Sequence, residues 1–284
     1  MMKKILTFIL GMMVVASCDH LPKSSSDKGD FDLAALEEMS FETEKLSYSY
    51  EKDKIQVGID VDYPAEGNPL LVNAVRELIS EQLGGTYDDD MEDGQQMVDS
   101  YGDKFKKELT KSYEEEVAAN DGDEDIVVGY SHVFDIKKSY ESDHFITYLV
   151  DEEIFLNGAH GTAFCHGVTL RKSDGRRFGT DMMRNRYSEE FYAIIKKGLM
   201  EYFSDGSGES VTTDEELKAF ILTEDDVNYL PMPRYAPYFS EEGVVFIYQP
   251  YEISFYAAGM PTFTVPYEKM DPFLTNTAKQ LVEK

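Results

Sequence analysis

The first clear alternation of apolar and polar residues lies at 55–62, in a folded body that we expect to start near Phe41. Ile55, Val57, Ile59 and Val61 are separated by polar residues or glycine. Side chains of a strand point alternately to opposite faces, so this spacing predicts a strand that is buried on one side only.

The following segment changes to helical periodicity. Asn68 and Pro69 form a favourable helix start, because the amide can cap the first turn and proline suits its first position. Gly84 and Gly85 end this helix, and its apolar face carries Leu71, Val75, Leu78 and Ile79. A longer helix follows an acidic loop at 88–93, with four-residue spacing of Met97, Tyr101, Phe105, Leu109, Tyr113 and Val117.

Three runs rich in β-branched and aromatic residues come next. The runs 126–138 and 145–156 are predicted to pair as antiparallel strands across a turn at 141–143, and 163–171 is predicted as a further strand. The turn at 173–175 is expected to end this strand region.

Helices and strands alternate in the remainder of the chain. Ser188 is predicted to cap a helix that ends at 205–208, and a short helix is expected at 214–220. Strands are predicted at 244–248 and 262–265, and Asp271-Pro272 is predicted to open a last helix. The pattern therefore indicates an α+β fold, a mostly antiparallel sheet packed with helices, arranged as two closely associated subdomains.

The first residues resemble an export signal. Lys3 and Lys4 precede an apolar run from Ile5 to Val15, which is shorter than a membrane-spanning helix. The tetrad Val15-Ala16-Ser17-Cys18 resembles the lipobox of bacterial lipoproteins, in which the cysteine becomes the lipidated first residue. We therefore predict a signal peptide at 1–17, lipidation of Cys18 and a flexible tether at 18–40. An ordinary secretory signal is the alternative.

Charge excludes one class of partner. The chain has 27 basic and 55 acidic residues, and removal of Lys3 and Lys4 leaves 25 − 55 = −30 formal charges. Such a chain repels nucleic acids and attracts cationic proteins. If Cys18 is lipidated, Cys165 has no disulfide partner in the chain.

The familiar catalytic and metal-binding patterns are incomplete. Asp121, Asp123 and Asp125 have the spacing of a calcium loop, but the required glycine and glutamate do not follow. Cys165 and His166 would lie on opposite faces of a strand, so a zinc site with His160 is not expected. No nucleophile elbow or phosphate-binding loop is present. We expect no catalytic residue, no metal and no cofactor.

Two stretches remain as candidates for a binding surface. The first, at 154–161, ends a strand in small residues and contains Asn157 and His160. The second, at 250–259, places Tyr251, Glu252 and Tyr256 around a glycine bend. Tyrosine provides a large contact area and loses little rotamer entropy on binding. The alternative is structural: Asn157 and His160 would hold a turn, and the tyrosines would fill the edge of the core.

These same stretches carry a family resemblance. The N-G-A-H-G element, the strand, turn and helix after it, and the PYEIxxYAAG…VPY ending resemble the C-terminal extracellular domain of RsiV-like anti-sigma factors over about residues 150–275. The preceding part, with Tyr63-Pro64 and the Asn68-Pro69 helix, resembles the companion domain that these proteins share with PdaC-like peptidoglycan deacetylases.

The resemblance implies a role in the cell envelope. RsiV-like proteins bind lysozyme through this region, and a basic lysozyme would complement the acidity of this chain. The chain shows no sigma-binding segment, retained membrane helix or deacetylase domain, so we carry over neither signalling nor deacetylation. We expect an N-terminal subdomain at 41–150 and an RsiV-like domain at 151–284.

The predicted function is that of a non-enzymatic, lipid-anchored envelope protein, at the periplasmic face or cell surface, which recognises lysozyme or another cationic protein. A peptidoglycan- or glycan-binding module and an uncharacterised hydrolase are the alternatives. The membrane would be contacted through the lipid alone, and no nucleic acid is expected to bind.

Overall fold

The computed structural model describes residues 39–208, 210–222 and 226–283. The predicted signal peptide, Cys18 and all of the predicted tether before residue 39 lie outside these ranges. No helix in the described part of the chain is sufficiently long and apolar to cross a membrane.

Five strands form the larger sheet in chain order: β1 (Glu42–Lys52), β2 (Ile55–Glu66), β3 (Tyr130–Glu141), β4 (Phe145–Leu156) and β5 (Thr162–Arg171). Neighbours are antiparallel except β2 and β3, which are parallel. The parallel pair is joined through two helices, α1 (Pro69–Gln82) and α2 (Gly94–Ala119). A parallel connection must return the chain to the same end of the sheet, and these helices do so.

The second part contains α3 (Glu189–Ser207), α4 (Asp214–Lys218), β6 (Tyr238–Phe239), β7 (Val244–Ile247), β8 (Thr262–Val265), α5 (Tyr267–Met270) and α6 (Asn276–Val282). Strands β6, β7 and β8 form a small antiparallel sheet. The predicted α+β class with mostly antiparallel strands is therefore confirmed.

All described residues belong to one compact unit, and its buried side chains form two cores. The first core joins α1 and α2 to one face of the larger sheet, and the second joins α3, α5 and α6 to the smaller sheet. Strand β4 contributes to both, because Phe145 lies in the second core while Ile146 and Tyr148 lie in the first. The boundary predicted between residues 150 and 151 falls inside this strand.

Buried hydroxyl groups connect the two sheets. The Thr147 hydroxyl lies 2.8 Å from the Thr169 hydroxyl and donates to the carbonyl oxygen of Phe239 at 2.7 Å. The backbone N–H of Phe239 donates to the Thr169 hydroxyl at 2.8 Å. Tyr238 packs on Gly167, where an added Cβ would lie 2.2 Å from the tyrosine ring. These contacts attach β6 to β4 and β5.

Local signals predicted most helix ends correctly. The Asn68 side chain caps α1 by accepting from Leu70 N, Pro69 is its first residue, and the Ser188 side chain caps α3 by accepting from Phe191 N. Gly208 ends α3 in the left-handed conformation. Asp93 caps helix α2, because its side chain accepts from Gln96 N at 3.0 Å.

Three sequence-based expectations need correction. No element was predicted over 42–52, where β1 forms the edge of the sheet. Strand β3 starts at Tyr130, because residues 124–126 form a 3₁₀ turn capped by Asp123. The last helix does not begin at Asp271: Asp271–Phe273 is a 3₁₀ turn, Leu274 is extended, and Thr275 caps α6.

Candidate functional site

Three of the five candidate side chains come together on the surface. The His160 and Tyr256 rings stack with centroids 4.2 Å apart, and Tyr251 lies 5.7 Å from Tyr256 and 6.5 Å from His160. The planes differ by only 24° to 35°. We call these residues the aromatic triad. Two neighbouring apolar side chains, Leu156 and Phe255, are also exposed.

His160 is carried by the loop between β4 and β5. Asn157 begins this loop with a φ of 54°, and asparagine tolerates that left-handed conformation better than most residues. The Asn157 side chain accepts from Val128 N at 2.6 Å, and its N–H donates to Gly129 O at 3.0 Å. Asn157 therefore holds the loop in place, as the structural alternative predicted.

The His160 ring is exposed and has a defined proton position. Its Nδ1 lies 2.8 Å from the carbonyl oxygen of Gly161. A carbonyl can only accept, so Nδ1 carries the proton and donates. In the neutral ring, Nε2 is then an acceptor. Among the described residues, no carboxylate is hydrogen-bonded to this histidine.

Tyr251 occupies the third position of a turn that runs from Gln249 to Glu252. Glu252 N donates to Gln249 O at 3.0 Å, and Tyr251 has a φ of 64°. Pro250 restricts the preceding φ to about −65°, so this is a type II turn. Its third position favours glycine, because a Cβ there approaches the backbone closely. Tyr251 is nevertheless 57% exposed, and it belongs to neither of the two cores formed by the described residues.

Tyr256 starts a 3₁₀ turn over 256–258, and Gly259 follows with a φ of 72°. The Tyr202 hydroxyl on α3 donates to Ala258 O at 2.7 Å, and the Ser254 hydroxyl donates to Phe220 O at 2.6 Å. These bonds attach the segment that carries Tyr256 to the second core.

Glu252 was predicted to contact a ligand at the surface, but its side chain points into the turn. Its side chain is half-buried and accepts from Gln249 N at 2.7 Å and from Arg234 N. Burial raises the pKa of the Glu252 carboxyl, although the two backbone N–H groups and the Arg234 charge oppose this effect. Both oxygens are therefore engaged by the backbone and do not belong to the exposed triad.

Sequence analysis did not identify Gln249. This side chain is 3% exposed, donates to Cys165 O at 2.8 Å and accepts from Cys165 N at 3.1 Å. It pairs with the edge of β5 as a neighbouring strand would. A glutamine directly before a turn proline was the available signal, but its partner is distant in the sequence.

Cys165 and His166 do not form a reactive pair. Burial raises the pKa of the Cys165 thiol to about 12, with a further contribution from Asp151. His166 points to the other face of β5, where its ring stacks on Tyr235 with centroids 4.0 Å apart. Burial lowers the pKa of His166 to about 4. No group of three or more potential metal-ligating side chains was found within the described ranges.

The structure is that of an α+β protein with a cluster of aromatic side chains at its surface. Residues 180–268 match the family model described as "Protein of unknown function (DUF3298)". The match includes Tyr251 and Tyr256 but not His160. No curated protein matches the chain significantly.

Two solved structures share the fold. A DUF3298 family member from Bacteroides fragilis NCTC 9343 superposes with a TM-score of 0.67 at 18% identity, covering 87% of this chain and 97% of that one. A DUF3298 family protein from Pseudomonas aeruginosa PAO1 gives 0.54 at 13% identity, covering 84% and 96%. At these identities the similarity concerns the fold.

Proposed function

We propose that this protein is a non-enzymatic, lipid-anchored binding protein of the cell envelope, and that its aromatic triad contacts a cationic protein such as lysozyme. The observation that carries the proposal is the conformation of Tyr251. A tyrosine with positive φ costs about 1–2 kcal/mol, and its ring is exposed beside two other aromatic rings. A position that is unfavourable for folding and accessible to solvent is best explained by binding.

Charge supports a cationic partner. The chain has a formal net charge of −28, and the acidic loops at 88–93 and 121–125 are largely exposed. A field of this sign increases the encounter rate of a basic protein at low salt. Residues 150–275 resemble RsiV-like lysozyme-binding domains, so we propose lysozyme as the basic partner. The preceding part resembles the companion domain of peptidoglycan deacetylases, which agrees with a location near the cell wall.

Titration with egg-white lysozyme tests this proposal. We expect binding at low ionic strength that weakens as salt is added, and a loss of on the order of tenfold in affinity for Tyr251→Ala or Tyr256→Ala. Tyr187→Ala is the matched control, because Tyr187 is 74% exposed and lies outside the triad. Absence of binding at low salt, or equal losses in all three variants, would contradict the proposal.

A peptidoglycan-binding role is the second candidate, and the exposure of the Tyr251 ring favours it. Aromatic rings stack on the apolar face of sugar rings. Purified cell-wall fragments should then bind with little dependence on salt. Such binding, together with no binding of lysozyme, would select this role.

Lipid anchoring requires its own test. Radioactive palmitate should label the protein in bacterial cells, and Cys18→Ala should remove both the label and the membrane association. An unlabelled protein released from the membrane by salt alone would contradict the anchor.

A further inference from the structure

We infer that Glu252 and Gln249 are positioning residues, which hold Tyr251 in the aromatic triad without touching the ligand. The consequence for binding rests on the proposed function, whereas the positioning itself does not. Within the described ranges, the polar side-chain atoms of both residues bond to backbone groups alone, and these groups belong to three separate segments.

The Glu252 carboxylate fixes the turn from two sides. One oxygen accepts from Gln249 N, the first residue of the turn, and the other accepts from Arg234 N in the preceding loop. Both positions require an acceptor. A carboxylate satisfies both, whereas an amide offers one oxygen and would direct its NH₂ group at a backbone N–H. The turn that presents Tyr251 therefore depends on the ionised acid.

Gln249 connects the same turn to β5. Its amide bonds to both backbone groups of Cys165, close to the start of the strand that follows the His160 loop. Tyr251 is thus held relative to His160 through one amide side chain, although the two rings belong to different loops. A preorganised surface loses less entropy on binding than one that must order its side chains first.

Direct ligand contact by Glu252 is the competing explanation, and its bonding disfavours it. The side chain is half-buried, and both oxygens already accept backbone hydrogen bonds. A ligand cation would have to use the remaining lone pairs of a carboxylate that is already bonded to the backbone and half-buried. A substitution of Glu252 by glutamine removes a negative charge as well as a hydrogen-bond acceptor. The control variant must therefore remove one negative charge elsewhere.

NMR of the purified protein gives the test that does not involve a ligand. The ring protons of Tyr251 and Tyr256, with centroids 5.7 Å apart, should show cross-peaks in the unaltered protein. We expect Glu252→Gln to remove them and Glu242→Gln to retain them, because Glu242 is exposed and its carboxylate has no bond within the described part of the chain. Gln249→Glu should also remove them, since it places a carboxylate against Cys165 O. Cross-peaks that persist in folded Glu252→Gln and Gln249→Glu proteins would overturn the inference.

Lysozyme titration then separates positioning from contact. Glu252→Gln should lower the affinity on the order of tenfold, Glu242→Gln should change it less than twofold, and Glu252→Gln should add no further loss in a protein that already carries Tyr251→Ala. Additive losses would indicate direct contact and overturn the positioning role. If lysozyme does not bind at all, the proposed partner is wrong, and the NMR result alone decides the role of Glu252 and Gln249.

Discussion

The His160 ring stacks on the Tyr256 ring at 4.2 Å and 24°, although His160 follows β4 and Tyr256 follows β7. The two side chains meet because β6 is attached to β4 and β5 through Thr147 and Thr169. Gln249 adds a second attachment at Cys165. The aromatic triad is therefore built on the contact between the two parts of the fold.

Replacement of Tyr251 should stabilise the protein while weakening binding. Asparagine tolerates positive φ, so we expect Tyr251→Asn to raise the free energy of unfolding by about 0.5–1 kcal/mol. Urea denaturation measures the change. Tyr187→Asn, at an exposed tyrosine without positive φ, should not stabilise. Destabilisation by Tyr251→Asn would indicate that the ring makes a larger folding contribution than its exposure implies.

His166 should make folding sensitive to acid. The folded protein protonates this ring only near pH 4, against 6.5 for an unperturbed histidine, so the unfolded chain binds the proton first. The resulting stabilisation is complete above pH 6.5 and is lost as the pH falls toward 4.

His166→Phe should retain the stack on Tyr235 and remove this dependence. Urea denaturation at pH 7 and pH 4.5 should show a loss about 2 kcal/mol smaller in the variant than in the parent. Equal losses in the two proteins would show that His166 is protonated in the folded state. Nδ1 is buried without a hydrogen-bond partner among the described residues, so its removal should also raise the free energy of unfolding at neutral pH.

Asn68 should resist replacement by another good N-cap residue. Its oxygen caps α1, while its NH₂ group donates to Lys172 O and Ser173 O, both at 2.8 Å. Asn68→Asp retains the cap but places a buried carboxylate against two carbonyls, so we expect a loss of about 2–4 kcal/mol in the free energy of unfolding. Ser188→Asp, at the half-buried cap of α3, should cost less than about 1 kcal/mol. Similar results at both positions would contradict the cross-linking role of Asn68.

Gly167 should be required for the attachment of Tyr238. A Cβ at Gly167 would lie 2.2–2.6 Å from the ring, whereas a Cβ at Gly206 in α3 meets no atom of the described residues within 4 Å. We expect Gly167→Ala to destabilise by about 1–3 kcal/mol. Gly206→Ala, whose added Cβ meets no atom of the described residues, should stabilise by up to about 1 kcal/mol. Thermal unfolding of both variants measures this. An unchanged melting temperature in Gly167→Ala would show that β6 can shift without cost.

Sequence patterns predicted elements whose signals are local. Asn68-Pro69, Ser188 and Gly208 mark helix ends through contacts within one turn, and the strand at 55–61 has the alternation of a half-buried sheet. Strand β1 was missed although Leu46, Tyr48 and Tyr50 alternate with polar residues, and these side chains are partly buried at the sheet edge. The predicted continuous last helix was wrong because Thr275 N donates to Met182 O, which extends the chain at Leu274 before α6.

The candidate site residues were also predicted only in part. Composition alone selected His160, Tyr251 and Tyr256, because aromatic residues near glycine bends suit a contact surface, and the structure places them together. It could not separate them from Asn157 and Glu252, whose side chains bond to backbone groups at Val128 and Arg234. Polar residues of these types serve equally well as ligand contacts and as loop supports, and only their partners distinguish the two roles.

The amino-acid sequence by itself determined the α+β class, most helix ends and the strong negative charge, since these follow from periodicity, capping and composition. Only the tertiary structure decided that β2 and β3 are parallel, that Gln249 reaches β5, and that the three rings form one surface. Such relationships depend on contacts between segments that are distant in the sequence. Three-dimensional packing sets the energies of these contacts, and the contacting residues have no fixed spacing along the chain.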